Sequence, residues 1–366
     1  MGTREWLREP KWMIVSAIGV VVVLVLGVWA VVAVLAPAAE NLACHGVSFR
    51  APVDTAAGQA SGTPPIGGAG GFGSKVRSLF GGDGPVVYCH DFADPFVVRT
   101  GDTYYAYSTN TGGDHVPVLT GGGLFGTAKR HDVLPELPAW SAPGYVWAPA
   151  LLERPDGWIL YYATRNTSTG AQCISYAKGA SPDGPFVDST TEPFICPADG
   201  GAIDPNPFVA ADGTVFLLWK NYDGETGVMG QQLSADGLTL VGPAQLLIQA
   251  DQAWEKGIVE APTMLAANGA YYLFYSGNDW VTANYAVSYA VCSSPLGPCT
   301  KPRSDPWLTS GPNAQGPGSP SVFTDEAGDT WLALHSWVGD KVGYPGGARN
   351  LFVVRFAIVN GQPVLT

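Results

Sequence analysis

From residue 85 onward, short apolar runs alternate with glycine turns, and one unit of this kind occurs five times. The units open at Ala93–Phe96, Trp147–Ala150, Ile203–Asn206, Glu260–Thr263 and Ser319–Val322. Each opening leads through an apolar run to a glycine: Gly101, Gly157, Gly213, Gly269 and Gly328. A second run, rich in aromatic residues, follows each glycine. Two such runs joined by a tight turn predict a β-hairpin in every unit.

The repeat length is almost constant. The opening prolines are 54, 56, 57 and 58 residues apart: Pro95, Pro149, Pro205, Pro262 and Pro320. A period near 50 with paired strands is typical of a propeller blade, a small sheet that stands around a central channel. The many glycines (47) and prolines (30) argue against a helical solenoid. We predict an all-β fold, a five-bladed β-propeller over residues 85–366.

The N-terminal part has a different pattern. No charged residue occurs from Trp12 to Ala39, and this stretch is long enough to cross a bilayer as a helix. Basic residues precede the stretch and are missing just after it, an asymmetry that places the N-terminus in the cytoplasm. We therefore predict a cytoplasmic tail at 1–12, a transmembrane signal anchor at 13–36 and, from its Gly, Ala and Pro content, a flexible linker at 37–84.

The alternative to an anchor is a cleaved signal peptide, because Ala36-Pro37-Ala38 resembles a small-residue cleavage site. The chain would then be secreted. Signal-peptide apolar regions are usually about 7–15 residues long, which favours the uncleaved anchor. Under that interpretation the protein is a single-pass membrane protein, bound to the cell membrane through its N-terminal helix, with the propeller on the extracytoplasmic side.

Charge and cysteine content fit an exported domain. The formal net charge of −12 argues against a nucleic-acid partner, which would require a basic surface. The six cysteines include no CxxC pair, and an even number in an exported chain indicates disulfides. The pairs we expect are Cys292–Cys299 around a short turn, Cys173–Cys196 across a longer excursion and, by elimination only, Cys44–Cys89.

Acidic residues occupy similar places in three of the five units. Asp94 and Asp204 directly precede the opening proline, and Glu260 lies one position further back; the other units carry Trp147-Ala148 and Ser319. Because the first strand of a propeller blade lines the channel, we expect the three carboxyl groups to share one funnel. An Asp-Pro pair is also a common turn former, so each acid alone has a structural interpretation. Three acids in register favour a functional interpretation.

Carboxyl groups in a common funnel suit the hydrolysis of a glycosidic bond. Inversion requires one carboxylate to deprotonate water and one carboxylic acid to protonate the departing oxygen, about 6.5–9.5 Å apart. A third carboxylate close by raises the pKa of the acid by like-charge repulsion, and burial acts in the same direction. The sequence therefore predicts an oligo- or polysaccharide substrate.

These units resemble glycoside hydrolase family 43. The resemblance lies in Asp91–Pro95 with Gly101–Tyr105, Trp147–Pro149, Ile203–Pro205 with Asp212-Gly213, and Val259–Pro262 with Tyr271–Leu273. It implies an inverting hydrolase of arabinose- or xylose-containing glycans, with α-L-arabinofuranosidase or arabinanase activity favoured over β-xylosidase activity. It assigns Asp94 as general base, Glu260 as general acid, and Asp204 as the residue that orients the acid and tunes its pKa.

One segment departs from the family. Many members carry Gly-Pro-Gly-His at the start of the fifth blade, where the His helps to hold a central ion or its water shell, but here the segment is Gly316–Ser319. We therefore predict no required metal or other cofactor, with a central calcium ion as the alternative. His335, at the end of the next strand, is a weak metal candidate, since a lone His there is more often a hydrogen-bonded core residue.

Two further residues are candidates for substrate binding. Arg349 resembles the late arginine that some members use on sugar hydroxyls; alternatively it is a solvated turn residue. Trp147 borders the funnel and would stack on a sugar, or else it is a core aromatic. We expect loops such as Gly112–Gly123 and Asn278–Tyr285 to close the funnel and to set its specificity.

Two other classes of function stay open. A non-catalytic glycan-binding propeller would keep the aromatic residues and lose an acid, so the presence of all three acids ranks it second. A related five-bladed clan retains the anomeric configuration through a nucleophilic Asp. Its opening Asn-Asp-Pro pattern is missing here, because Ala93 precedes Asp94.

Overall fold

The computed structural model describes residues 86–122, 129–198, 200–221, 226–311, 314–338 and 341–366. The predicted tail, anchor at 13–36 and linker at 37–84 lie outside these residues. Within them the chain is built of β-strands, with one short 3₁₀ turn at Ala253–Glu255. No helix in this described part is long and apolar enough to cross a membrane.

The strands form five antiparallel sheets, each a blade. Strand β1 is Val86–Tyr88, and blade 1 contains β2 (Phe96–Thr100), β3 (Thr103–Tyr107), β4 (Pro117–Gly122) and β5 (Lys129–Asp132). Blade 2 contains β6 (Ser141–Arg154), β7 (Gly157–Asn166) and β8 (Gln172–Gly179). Blade 3 contains β9 (Ala202–Val209), β10 (Val215–Asn221), β11 (Gly227–Leu233) and β12 (Leu240–Gln249).

The last two blades complete the ring. Blade 4 contains β13 (Val259–Ala267), β14 (Ala270–Gly277), β15 (Ala286–Cys292) and β16 (Cys299–Thr300). Blade 5 contains β17 (Ala314–Thr324), β18 (Thr330–Val338), β19 (Arg349–Val359) and β20 (Gln362–Leu365). Strand β1 pairs with β19, with Val86 opposite Phe352, so the first described strand closes the ring on the last blade. The predicted five-bladed propeller is confirmed.

The hydrophobic core lies between the blades. In β3, Tyr104 and Ala106 pack against blade 5 through Phe323 and Trp331, whereas Tyr107 belongs to the cluster shared with blade 2. Neighbouring side chains of a strand point to opposite faces, and here both faces are covered by another blade. This explains why the second strand of each unit is apolar or aromatic throughout, without the alternation of a half-exposed strand.

Each blade opens on the same unusual backbone conformation. The residue before every opening proline has a positive φ: Asp94 (52°), Ala148 (46°), Asp204 (57°), Ala261 (52°) and Ser319 (50°). A left-handed conformation costs an L-residue roughly 1–2 kcal/mol, so its recurrence means that the surrounding fold imposes it. These five positions are structurally equivalent, and Glu260 lies one residue before its equivalent, as the sequence indicates.

Two predicted disulfides are confirmed. Cys173 bonds Cys196, and Cys292 bonds Cys299 between β15 and β16. The predicted Cys44–Cys89 pair stays untested, because Cys44 lies outside the described residues.

Candidate active site

A cavity of about 330 Å³ opens at the centre of the ring, and the three predicted acids, Asp94, Asp204 and Glu260, all line it. Other lining residues include Asp91, Thr109, Trp147, Trp280, Tyr285, Ser319, Tyr344 and Arg349. Residues from all five blades, far apart along the chain, thus share one sugar-sized hollow. The predicted convergence of the three acids is confirmed.

Hydrogen bonds between neighbouring blades fix the left-handed positions around this cavity. The backbone N–H of the left-handed residue donates to a side chain of the preceding blade in four cases: Asp94 to His335 Nδ1 (3.1 Å), Ala148 to Thr109 Oγ1 (3.0 Å), Ala261 to Asp204 Oδ2 (2.9 Å) and Ser319 to Ser276 Oγ (2.9 Å). The left-handed backbone therefore directs these N–H donors towards the preceding blade. The resulting hydrogen bonds join neighbouring blades next to the acids.

Asp94 is arranged to carry a negative charge. Its Oδ2 accepts a hydrogen bond from the Thr109 hydroxyl (2.5 Å), and its Oδ1 accepts one from the Ser319 hydroxyl (2.7 Å). The Arg349 Nη1 atom lies 3.6 Å from Oδ1. Burial disfavours the charge, but the Arg349 guanidinium and, among the hydrogen bonds, that from Thr109 help to outweigh it and hold the pKa of Asp94 well below its usual range.

Arg349 is itself held in place by the ring closure. It opens β19, it is only 8% exposed, and its backbone N–H donates to Asp91 Oδ1 at 3.0 Å. Its guanidinium carbon lies 4.5 Å from the centre of the Trp280 ring, and its Nε donates to the Tyr344 hydroxyl at 3.4 Å. The interpretation of Arg349 as a solvated turn residue is wrong, since the side chain lies in the cavity beside Asp94.

Glu260 is also surrounded by donors. Lys220 Nζ on β10 lies 2.7 Å from Glu260 Oε2, and the Tyr285 hydroxyl donates to Oε1 at 2.8 Å. Burial and, second, the charge of Glu260 raise the pKa of Tyr285 well above its usual value. The phenol therefore keeps its proton and can donate. Each oxygen of the Glu260 carboxyl group is therefore fixed by one partner.

Asp204 differs electrostatically from Asp94, although both open a blade. Burial, together with the nearby charges of Glu260 and Asp94, raises the pKa of Asp204 to about 8, and Lys220 opposes this rise. Asp204 is therefore protonated at neutral pH while Asp94 is ionised. Pairs of carboxyl groups whose environments push their pKa values apart are characteristic of acid–base catalytic sites.

A family model described as glycosyl hydrolases family 43 matches residues 84–363. The chain belongs to this family. Among curated relatives of the family-43 chain, a β-D-galactofuranosidase of Aspergillus niger is 29% identical over 211 residues. This match covers 54% of this chain and 58% of that enzyme. An α-L-arabinofuranosidase B of Pyricularia oryzae is 25% identical over 53% of this chain and 42% of that enzyme. The match thus spans only about half the length of these relatives.

Solved structures agree with the family-43 fold. A thermostable family-43 glycoside hydrolase superposes with a TM-score of 0.68 and 26% identity, covering 75% of this chain and 93% of that one. An endo-1,4-β-xylanase of Bacteroides thetaiotaomicron superposes with a TM-score of 0.67 and 25% identity, over 76% of this chain and 95% of that one.

In the family-43 site, His335 is fully buried beside Asp94. Its Nδ1 accepts the Asp94 N–H, and its ring stacks on Tyr285 with centroids 5.9 Å apart. Burial lowers the pKa of His335, so the ring is neutral with its hydrogen on Nε2. Among the residues that the structure describes, no group of three or more His, Cys, Asp or Glu side chains could hold a metal ion. The prediction of no required metal, and the alternative of a central calcium ion, both stay predictions.

The remaining candidates are Trp147 and the two expected funnel loops. Trp147 is half-buried, lines the cavity and meets Tyr145 edge to face with centroids 6.4 Å apart. The segment Asn278–Tyr285 supplies Trp280 and Tyr285 to the cavity, as expected of a funnel loop. By contrast, half of the expected loop Gly112–Gly123 is strand β4, because its Val and Leu residues are buried.

Sequence reasoning did not identify several residues of this site: Asp91, Lys220, Trp280, Tyr285 and Tyr344. Lys220 carries the clearest overlooked signal, since it is a cation at the end of the apolar run Val215–Trp219. A lysine there is buried only if a counter-charge meets it. The aromatic residues lie on irregular segments, where no repeat marks them.

Proposed function

We propose that this chain is an inverting glycoside hydrolase of arabinose- or xylose-containing glycans, with arabinofuranosidic bonds favoured over β-xylosidic ones. One observation carries the proposal: Asp94 and Glu260 line the same cavity, the first prepared to be ionised and the second held by two donors. The two named curated relatives are a galactofuranosidase and an arabinofuranosidase, which supports a five-membered sugar ring in the cavity.

In the proposed reaction, Asp94 accepts a proton from water as the water oxygen attacks the anomeric carbon. Glu260 donates its proton to the departing glycosidic oxygen, and the bond between that oxygen and the anomeric carbon breaks. Asp94 then holds a proton that it returns to solvent, and Glu260 regains one from solvent. Asp204 orients the acid, because its Oδ2 binds the Ala261 N–H next to Glu260.

Arg349 and Trp147 are the proposed substrate contacts. Arg349 lies 3.6 Å from Asp94, beyond a direct hydrogen bond, so its N–H groups can donate to a sugar hydroxyl beside the base. Trp147 offers an aromatic face or edge to the sugar ring. No step requires a metal ion or an organic cofactor.

Glu260→Gln tests the acid assignment. We expect hydrolysis of natural glycans to fall by about 10²–10⁴-fold, because the leaving oxygen loses its proton donor. Rates are measured by release of reducing sugar from arabinans and xylans and from a panel of p-nitrophenyl pentosides and galactofuranosides. The exposed Glu153→Gln is the matched control and should retain the native rate.

The same panel separates the alternatives. A native chain that is retained on a polysaccharide column but releases no sugar would be a glycan-binding propeller. Proton NMR of the anomer formed first distinguishes inversion from retention. Turnover that survives Glu260→Gln unchanged would refute the acid assignment.

We further propose that residues 13–36 anchor the chain, with the propeller on the outer side of the cell membrane. The charge-free stretch and the exported type of cysteine usage support this. Protease added to intact cells should remove the propeller epitope and leave a membrane-bound fragment. Release of the whole domain into the medium would instead indicate signal cleavage.

A further inference from the structure

Lys220 is a buried cation that the mechanism above does not use. Lys220 lies on β10, opposite Ile203 of β9, and Ile203 is the residue before Asp204. Lys220 is only 7% exposed. Its Nζ lies 2.7 Å from Glu260 Oε2, a charge-assisted contact between two side chains that are each about one-tenth exposed. Burying a lysine is unfavourable unless a counter-charge compensates it. The blade therefore positions this ammonium group on Glu260 in particular.

The contact has a direct consequence for a proton donor. An ammonium group at this distance favours the ionised form of a carboxyl group, since opposite charges attract strongly where water is excluded. The Tyr285 hydroxyl on Oε1 acts in the same direction, because it can only donate. Together the two donors favour the carboxylate that Glu260 becomes after it has protonated the leaving oxygen.

We infer that Lys220 is a positioning residue for the acid: its ammonium group fixes the Glu260 carboxyl group and stabilises the carboxylate that remains once the proton has passed to the leaving oxygen. This inference rests on the proposed function of Glu260. Lys220 keeps its three protons throughout. It acts through its charge and its hydrogen bond, and it does not touch the substrate in the proposed reaction.

Other charged groups share the cavity with Glu260: Asp94, Asp204 and Arg349. Lys220 also lowers the pKa of Asp204, against the effects of burial and of the two neighbouring carboxylates. Removing the charge of Lys220 therefore also favours the protonated form of Asp204.

The test is the dependence of kcat on the leaving group in Lys220→Met, measured at a single pH. We expect kcat to fall by about 10²-fold for aglycones that are poor leaving groups and by less for p-nitrophenol, because poor leaving groups depend most on a well-placed acid. Lys220→Gln, which loses the charge but keeps a donor, carries the test if the methionine variant does not fold. Lys220→Arg, which keeps the charge, should restore the native dependence.

Lys301→Met is the matched control. Lys301 is also buried, with its side chain 7% exposed, and its Nζ lies 2.6 Å from Glu255, which does not line the cavity. This variant loses an equivalent buried ion pair, so its thermal unfolding midpoint should fall while its leaving-group dependence stays native. A leaving-group dependence that is unchanged in Lys220→Met and Lys220→Gln, or that changes equally in Lys301→Met, overturns the inference.

A second measurement does not depend on turnover. In a crystal structure of Lys220→Met, the Glu260 carboxyl group should leave the position that it holds in the native chain, whereas in Lys301→Met it should keep that position. If the native chain hydrolyses nothing in the panel, the proposed function fails while the position of Glu260 still decides the role of Lys220. If the native chain is active and Glu260 does not move in Lys220→Met, only the Lys220 inference fails.

Discussion

At the scale of single residues, the site contains two aspartates at equivalent backbone positions with opposite electrostatic roles. Asp94 receives two hydroxyl hydrogen bonds and faces Arg349, whereas Asp204 faces two carboxylates. The left-handed backbone places both side chains in the cavity, and the neighbours alone decide which one is charged. The same residue type in the same position can therefore serve as a base or as a protonated partner.

Arg349→Met tests how Asp94 is prepared. We expect kcat/KM to fall by about 100-fold, the loss typical of a catalytic group that is no longer held in place. Because Arg349 lowers the pKa of Asp94, its loss should also move the acidic limb of the pH profile of kcat/KM to higher pH. Arg355→Met, on the same strand and paired to Asp329 at 2.7 Å, is the control and should retain both values. An unmoved acidic limb would contradict the role given to Arg349.

Asp204→Asn tests the protonated partner through stability. The pKa of Asp204 is raised in the folded chain, so between about pH 4 and pH 8 the native state holds a proton that the unfolded state has lost. Stability should therefore fall as pH rises through this window, by up to about 1.4 kcal/mol per pH unit for one proton. Urea unfolding of Asp204→Asn should lack this part of the slope. An identical slope in native and variant chains would show that Asp204 is not the group that titrates.

At the scale of elements, the repeat made the blades predictable. Runs such as Tyr104–Tyr107 are apolar throughout because each central strand is covered on both faces, and the glycine turns mark where the hairpins reverse. The three acids were predictable for the same reason, since equivalent repeat positions meet at one axis. Lys220, Trp280 and Tyr344 were not, because their places depend on contacts between blades or on irregular segments that no period describes.

Ala148→Gly tests the strain at the blade openings. Ala148 has a φ of 46°, which glycine adopts without the steric cost that an L-residue bears. We expect the free energy of unfolding to rise by about 1 kcal/mol or less in urea titrations. Ala150→Gly, two residues further along β6 at an ordinary φ, should instead be destabilised. Destabilisation of both variants would mean that the left-handed backbone is not strained.

At the scale of the whole molecule, the ring is closed by pairing between its two ends. Strand β1 pairs with β19, and the Asp91 carboxylate accepts hydrogen bonds from the Arg349 N–H (3.0 Å) and the Tyr344 hydroxyl (2.5 Å). The Phe92 N–H also donates to the Arg349 carbonyl at 2.7 Å. The closure therefore lies next to the candidate base and its arginine.

Asp91→Ala tests this connection between closure and site. The variant leaves the Arg349 N–H without its acceptor, which should cost about 1–3 kcal/mol of stability. It should also lower kcat/KM, because the arginine beside Asp94 loses its support. Thermal unfolding and turnover are measured on the same preparations, with the exposed Asp102→Ala as the control. A loss of stability with turnover unchanged would separate the closure from the site.

The position of β1 also determines how the domain responds to a mechanical load. With the predicted Cys44–Cys89 pair reduced, a force applied from the N-terminal side reaches a strand of three residues first, and that strand is held to β19 without a covalent loop between the two. Peeling it away would open the propeller at its seam and disturb Arg349 at the same moment. Under that condition, pulling on this end would inactivate the candidate base before the other blades unfold.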